Sequence, residues 1–250
     1  MNKSGSFIFY HSIGIKFVIE YRKHYSLSLP INYMHILQSI VYHALATGNS
    51  SIHDNGYSCG DRKYKDFTFS WLNGPYKISG KSIIFKERLS FEVRSTNPQI
   101  IHTIAENIKA NGITYLEQHY DDVSVKINDK SVEEECVAIR MVTPICVYST
   151  DEYKHTIFYE PTDLEFYEMI NDNFRRKYIA IMGVEPKDDI VLKPSFISDR
   201  DCKVTKYKGF YIKGFKGEYI LEGERKYLDF LYQTGLGSKN SQGFGMFNII

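Results

Sequence analysis

The chain has 250 residues, 43% of them hydrophobic and 24% charged, and a net charge of +1 at pH 7. That length holds one large domain or two of about 120 residues, each with room for a core, and two domains are expected here. Four cysteines, Cys59, Cys136, Cys146 and Cys202, form no C-x-x-C pair, which excludes a structural zinc and a secreted disulfide scaffold and points to the cytosol.

The first apolar run is broken by His11 and Lys16. It is therefore neither a signal peptide nor a membrane span, and no later stretch is long enough to cross a bilayer. Residues 13–21 alternate toward strand character. Over 31–46, Tyr33, Ile36, Leu37, Ile40, Val41 and Ala44 make an apolar stripe of helical period, with His35, Gln38, Ser39 and Tyr42 on the other face. Strands are predicted at 67–72, 82–85 and 89–94, a helix over 98–110 and a strand at 123–127. The second half repeats this order: a strand at 136–142, a helix over 163–179 after Pro161, strands at 202–208 and 217–221, a helix over 224–232 and a strand at 246–250. Two successive β-α-β-β-α-β units spell an α+β protein of two tandem ferredoxin-like, RRM-like domains, residues 1–128 and 129–250, with a cleft between them. The repeat lies in the pattern of elements and not in the sequence.

Charge is segregated along the chain. Residues 61–94 hold eight Lys and Arg, Arg62 and Lys63 among them, against four acids, and 201–250 hold eight against five, whereas 126–170 hold four against ten. A phosphate-rich partner could bridge two such separated basic stretches. The 20 Tyr and 16 Phe are numerous, and spare aromatics suit base stacking. The strongest local signal is Gly235-Leu236-Gly237-Ser238-Lys239-Asn240-Ser241-Gln242-Gly243-Phe244-Gly245, two G-hydrophobic-G triplets separated by five mostly polar residues with no acid among them. Backbone N–H groups beside a lysine suit a phosphate. It is no Walker loop, which needs G-K-[ST] after its second glycine, and no Rossmann fingerprint, which needs Gly where Asn240 stands. The plainer reading is a glycine-rich hairpin that only turns the chain.

The double triplet resembles the C-terminal signature of the sixth Cas family, CRISPR-associated endoribonucleases of the RAMP superfamily that cut precursor CRISPR RNA within its repeats. A second stretch resembles the same family. It runs from Tyr42-His43-Ala44-Leu45 through Ile52-His53-Asp54 to Lys63-Tyr64-Lys65-Asp66-Phe67-Thr68-Phe69-Ser70, and archaeal members pair a helical Tyr with a loop His and a Lys that opens a K-x-F-T-[FY]-S strand. The resemblance implies a catalytic set of Tyr42, His53 and Lys65. His43, or His35, is the alternative, because some relatives use a second histidine on this helix. It further implies RNA binding by Gly235, Gly237, Ser238, Lys239, Asn240, Gly243 and Gly245, supported by Arg62 and Lys63, with CRISPR repeat RNA as partner. Homodimerisation and contact with CRISPR effector subunits stay open.

Cutting RNA without a metal needs three things. A base takes the 2′ proton, an acid protonates the departing 5′ oxygen, and a cation offsets charge on the phosphorane. Histidine, with an ordinary pKa of about 6.5, serves as acid or base, and a lysine stabilises the phosphorane oxygens. Tyr42 is a poor base at an ordinary pKa of about 10 and is better suited to orienting a hydroxyl. No H-E-x-x-H, strand D-x-D or Cys/His cluster supplies metal ligands, so neither metal nor cofactor is expected. The competing readings are an RNA-binding effector subunit without chemistry and, more remotely, a small-molecule-binding α+β protein.

Overall fold

The computed structural model describes residues 13–20, 26–46, 56–128 and 130–250. Its first sheet is built from β1 (Ile13–Glu20), β2 (Thr68–Phe69), β3 (Arg88–Ser95) and β4 (Val123–Asn128), in the order β4-β1-β3-β2 with every neighbour antiparallel. Helices α1 (Met34–Ala46) and α2 (Pro98–Asn111) cover one face. Asn97 caps α2 by accepting from the Gln99 N–H at 2.9 Å, Pro98 opens its first turn, and Ile100, Ile101, Ile104 and Ile108 form its buried stripe. The stripe meets Ile15, Phe17 and Ile19 of β1, and Phe17 stacks on Phe91 of β3 with ring centroids 4.8 Å apart.

The second sheet repeats the plan with β5 (Cys136–Met141), β6 (Val191–Phe196), β7 (Glu218–Glu222) and β8 (Phe247–Ile249), ordered β6-β7-β5-β8 and again antiparallel. Its helices are α3 (Leu164–Met182), which ends at Gly183 in the left-handed region, and α4 (Arg225–Thr234). Phe174 and Tyr178 of α3 interlock edge to face with Tyr227 and Phe230 of α4 as the centre of this core. In each unit the fourth strand lies beside the first and the second lies at the far edge, so the chain is an α+β protein of two tandem ferredoxin-like folds.

One assignment moves. The sequence pattern placed the second unit's second strand at 202–208, but Val191–Phe196 takes that place, and Cys202–Tyr207 pairs with Phe210–Phe215 as a separate hairpin. Pro194 argues against a strand in the sequence. At a sheet edge its missing N–H is harmless, and the register with β7 shifts between Pro194 and Phe196.

The two units share a seam fastened by one buried arginine. Arg94 of β3, 1% exposed, donates from Nη1 to the Phe247 carbonyl at 2.6 Å and from Nη2 to Asn248 Oδ1 at 2.7 Å, and pairs with Glu92 through Nε at 2.8 Å. Its guanidinium carbon lies 3.9 Å from the Tyr232 ring centroid. The planar fork thus fastens β8 to β3 through charge-assisted hydrogen bonds, of which the one to the Phe247 carbonyl is buried.

Candidate active site

The glycine-rich segment begins where α4 stops. Gly235 caps the helix at φ +86°, its N–H bonded to the Leu231 carbonyl at 2.7 Å. The loop then closes on itself through Leu236 N–H to Gly245 O at 2.8 Å, and docks on the preceding chain through Ser238 N–H to Cys146 O and Gly245 N–H to Pro144 O, both 2.8 Å. Asn240 stands inside it, donating from Nδ2 to the Leu236 and Phe244 carbonyls at 3.0 and 3.1 Å. The first unit covers its other side: Trp71 Nε1 donates to the Gly243 carbonyl at 2.8 Å, and Phe244 meets the Trp71 ring edge-on.

The glycines are therefore required by the protein's own atoms. A Cβ on Gly245 would lie 1.9 Å from the Leu236 carbonyl oxygen, and one on Gly237 would lie 2.8 Å from the Cys146 carbonyl oxygen. Gly235, Gly237, Gly243 and Gly245 are buried, as is Asn240, while Ser238 and Lys239 are partly exposed. The sequence argument took the glycines as room for an approaching phosphate. Their demonstrated neighbours are side chains and carbonyls, and the charge at the surface comes from Lys239.

Sequence reasoning missed Lys177 of α3, which ties the loop from within. Its Nζ donates to the Gly235 carbonyl at 2.5 Å and to Asn240 Oδ1 at 3.0 Å, and is 3.5 Å from the Thr234 carbonyl. Asp66, the residue after Lys65, is buried with it and accepts from the Thr96 N–H at 3.1 Å and hydroxyl at 2.8 Å. Burial pushes the Asp66 carboxyl up to about 7 and the Lys177 ammonium down to about 7, and each charge pulls the other back. Lys177 lies more than one hundred positions from Asp66, and only a buried position on the α3 stripe flagged it.

A pH profile tests this pair. Between about pH 4 and 7 the folded state keeps a proton on Asp66 that the unfolded chain has lost, so stability falls as pH rises. Between about pH 7 and 10 the unfolded chain keeps a proton that folded Lys177 has lost, so stability rises again. Asp66→Asn should remove the falling limb, at most about 4 kcal/mol deep, and leave the rising one. Urea midpoints of the two proteins that run parallel from pH 4 to 7 would show that burial does not control Asp66.

Tyr42 lies half-buried on α1. Its hydroxyl bonds with Ser241 of the glycine loop and with Gln38, its ring meets Phe67 edge-on at 5.5 Å, and burial raises its phenol above the ordinary value of 10.0. Gln38 reinforces this joint: its Nε2 donates to the Ser241 carbonyl at 3.1 Å, and its Oε1 accepts from the Tyr207 hydroxyl. So the polar face of the first helix meets the far end of the chain. A phenol held above 10 remains a proton donor near neutrality, which suits orienting a hydroxyl better than taking its proton.

Lys65 is partly exposed just before β2, and a Cβ added to Gly56 would lie 3.3 Å from its Cδ. His53 lies outside the described residues. His43, exposed on α1, turns instead to the seam with α2, where it lines a cavity of about 240 Å³ with Asn107, Asn111 and Thr114. His35 is exposed, with Nδ1 2.9 Å from the Asn32 carbonyl. Arg62 and Lys63 are exposed on the hairpin Tyr57–Cys59/Arg62–Tyr64, which packs near α3. Among the described residues no group of three or more His, Cys, Asp or Glu is placed to hold a metal ion, and no helix is long and apolar enough to cross a membrane.

Residues 127–249 match the family model of the CRISPR-associated protein Cas6 C-terminal region. The chain is 22% identical over 230 residues to the CRISPR-associated endoribonuclease Cas6 1 of Methanocaldococcus jannaschii, covering 87% of this chain and 86% of that one. It is 29% identical over 182 residues to an endoribonuclease-like Cas6 protein of Pyrococcus furiosus, covering 67% and 70%. Among solved structures, an RAMP protein binding different RNA substrates superposes with a TM-score of 0.78 at 22% identity, over 96% of this chain and all of that one. With the two ferredoxin-like units in this order and the glycine-rich loop packed between them, these matches support a protein of the Cas6 family of CRISPR-associated proteins.

Proposed function

We propose that the protein is an endoribonuclease that cuts CRISPR precursor RNA within its repeats to release guide RNAs, without a metal ion. The 2′-hydroxyl attacks the adjoining phosphate and leaves a 2′,3′-cyclic phosphate and a 5′-hydroxyl. The observation that carries the reading is the joint between Tyr42 and Ser241, which brings the helix of the candidate catalytic set against the glycine-rich loop. One continuous RNA strand can touch both. In this reading residues 1–128 carry the chemistry and residues 129–250 present the loop, and the protein works in the cytoplasm.

His53 moves the proton, Lys65 offsets charge on the phosphorane, and Tyr42 orients a hydroxyl. Lys239, Ser238, Arg62 and Lys63 hold the RNA backbone. A second reading, an RNA-binding effector subunit without chemistry, draws on the 29% identity with the endoribonuclease-like relative.

Purified protein incubated with labelled repeat RNA in excess EDTA should cut it at one position, and a single 2′-deoxy substitution there should abolish cutting. A 3′-hydroxyl product, or cleavage lost with the chelator, would overturn the mechanism. Tight binding with no cleavage would favour the second reading.

A further inference from the structure

A second feature beside the loop has no part in that chemistry. The hairpin Cys202–Tyr207/Phe210–Phe215 and the shorter hairpin Tyr148–Thr150/Thr156–Phe158 flank a cavity of about 330 Å³, which Lys239 and Gln242 of the glycine-rich loop complete. The volume lies at the small end of the range for organic ligands, about 300–1,000 Å³. Its floor is fixed, because Ile212, Cys146 and Phe244 are buried together beneath Tyr148, Phe158 and Tyr207.

The walls are aromatic and the rim is basic. Phe210 is 77% exposed and Tyr211 66% exposed, two adjacent rings held in water just after the turn residues Lys208 and Gly209, both at positive φ. The turn has the geometry of a tight hairpin, so the rings are presented by a defined backbone. Lys239 Nζ lies 4.6 Å from the Tyr148 ring centroid, and Lys208 Nζ 5.7 Å from that of Tyr207. Among the described residues no carboxylate lines the cavity.

Gln242 adds an independent observation. Its side-chain oxygen is buried and has no hydrogen-bond partner among the described residues, although the residue lines the cavity. A buried amide oxygen left unmatched has given up its water without a replacement partner. A polar edge entering the cavity would supply that partner.

Flat aromatic walls, a cationic rim without acids and an unmatched amide describe the complement of a nucleotide: a π face, a phosphate and a hydrogen-bonding edge. Resting on the RNA-cutting reading above, we propose that this cavity takes up one unpaired base of the bound RNA. The base stacks on the Phe210–Tyr211 edge, its polar edge meets Gln242, and its phosphate lies at Lys239 and Lys208. The RNA is then read at one position outside the cleavage site.

The test is a double-mutant cycle between protein and RNA. Repeat RNAs carrying one abasic site at each position in turn are bound to wild-type protein and to the variant Phe210→Ala/Tyr211→Ala, with cleavage at saturating protein recorded alongside. Both rings are exposed, so the variant should fold, and matching circular dichroism checks this. At one position the abasic site should weaken wild-type binding by about 5- to 150-fold, the range expected for a stacked base. The variant should lose a similar factor on intact RNA, and the two losses should not multiply. Losses that multiply at every position, or a variant that binds intact RNA as tightly as wild type, would overturn the proposal and leave the rings to a protein partner. Cleavage without such coupling sinks the cavity alone, coupling without cleavage sinks the nuclease reading alone, and wild-type protein that binds no single-stranded RNA sinks both.

Discussion

His53→Ala should slow single-turnover cleavage of repeat RNA by about two to four orders of magnitude while leaving RNA affinity nearly unchanged. The size follows from the chemistry of the set. Burial pushes the Tyr42 phenol above 10, so it cannot take over as base near neutral pH, and a lysine beside the phosphate is needed as a cation throughout. Only an imidazole, with an ordinary pKa of about 6.5, both gives and accepts a proton there. Affinity should hold because the groups proposed to grip the backbone, Lys239, Arg62 and Lys63, lie elsewhere in the chain. Unaltered single-turnover cleavage would transfer the role to His43 or His35.

Gly245→Val should give little or no folded protein. The added Cβ would sit 1.9 Å from the Leu236 carbonyl oxygen and 2.6 Å from Asn240 Nδ2, at φ +79°. Both belong to the hydrogen-bonded interior of the loop, and a β-branched residue resists that φ besides. The combined cost is about 4 kcal/mol or more, a large share of an ordinary domain's stability. Gly243→Val should be milder, since its nearest neighbour, Met34 Cε at 2.3 Å, is the end of a flexible side chain, although Phe69 stands at 2.9 Å. Urea denaturation would rank the two, and equal stabilities would mean that the loop is not held as described. Neither variant can report on RNA contact alone. Lys239→Ala, at a partly exposed side chain, is the clean probe and should reduce the salt slope of binding by about one ion.

The four helices and most strands among the described residues were legible because their apolar residues recur at 3.6 or 2. Pro194 hid the edge strand Val191–Phe196, where position in the sheet overrides the local preference. The Cys202–Phe215 hairpin deceived for the opposite reason: Val204, Phe210 and Tyr211 read as core-forming but are exposed, and no single sequence separates a buried ring from one held in water. In the site, the glycine triplets stood out by spacing and Lys65 by the family resemblance. Lys177, Asp66 and Gln38 did not, because their meaning comes from neighbours 63, 30 and 203 positions away.

The Arg94 fork also sets an order of events during synthesis. Its carbonyl acceptor on Phe247 is 153 residues further along the chain, and at about 5–20 residues per second a ribosome needs about 8–30 s to deliver it. Until Tyr232 and then Phe247 are made, the guanidinium has of these partners only Glu92 on the same strand. The first ferredoxin-like unit must wait with an open seam until the last strand arrives, which makes that seam the place where a nascent chain is most exposed to capture by a chaperone or by a neighbouring copy.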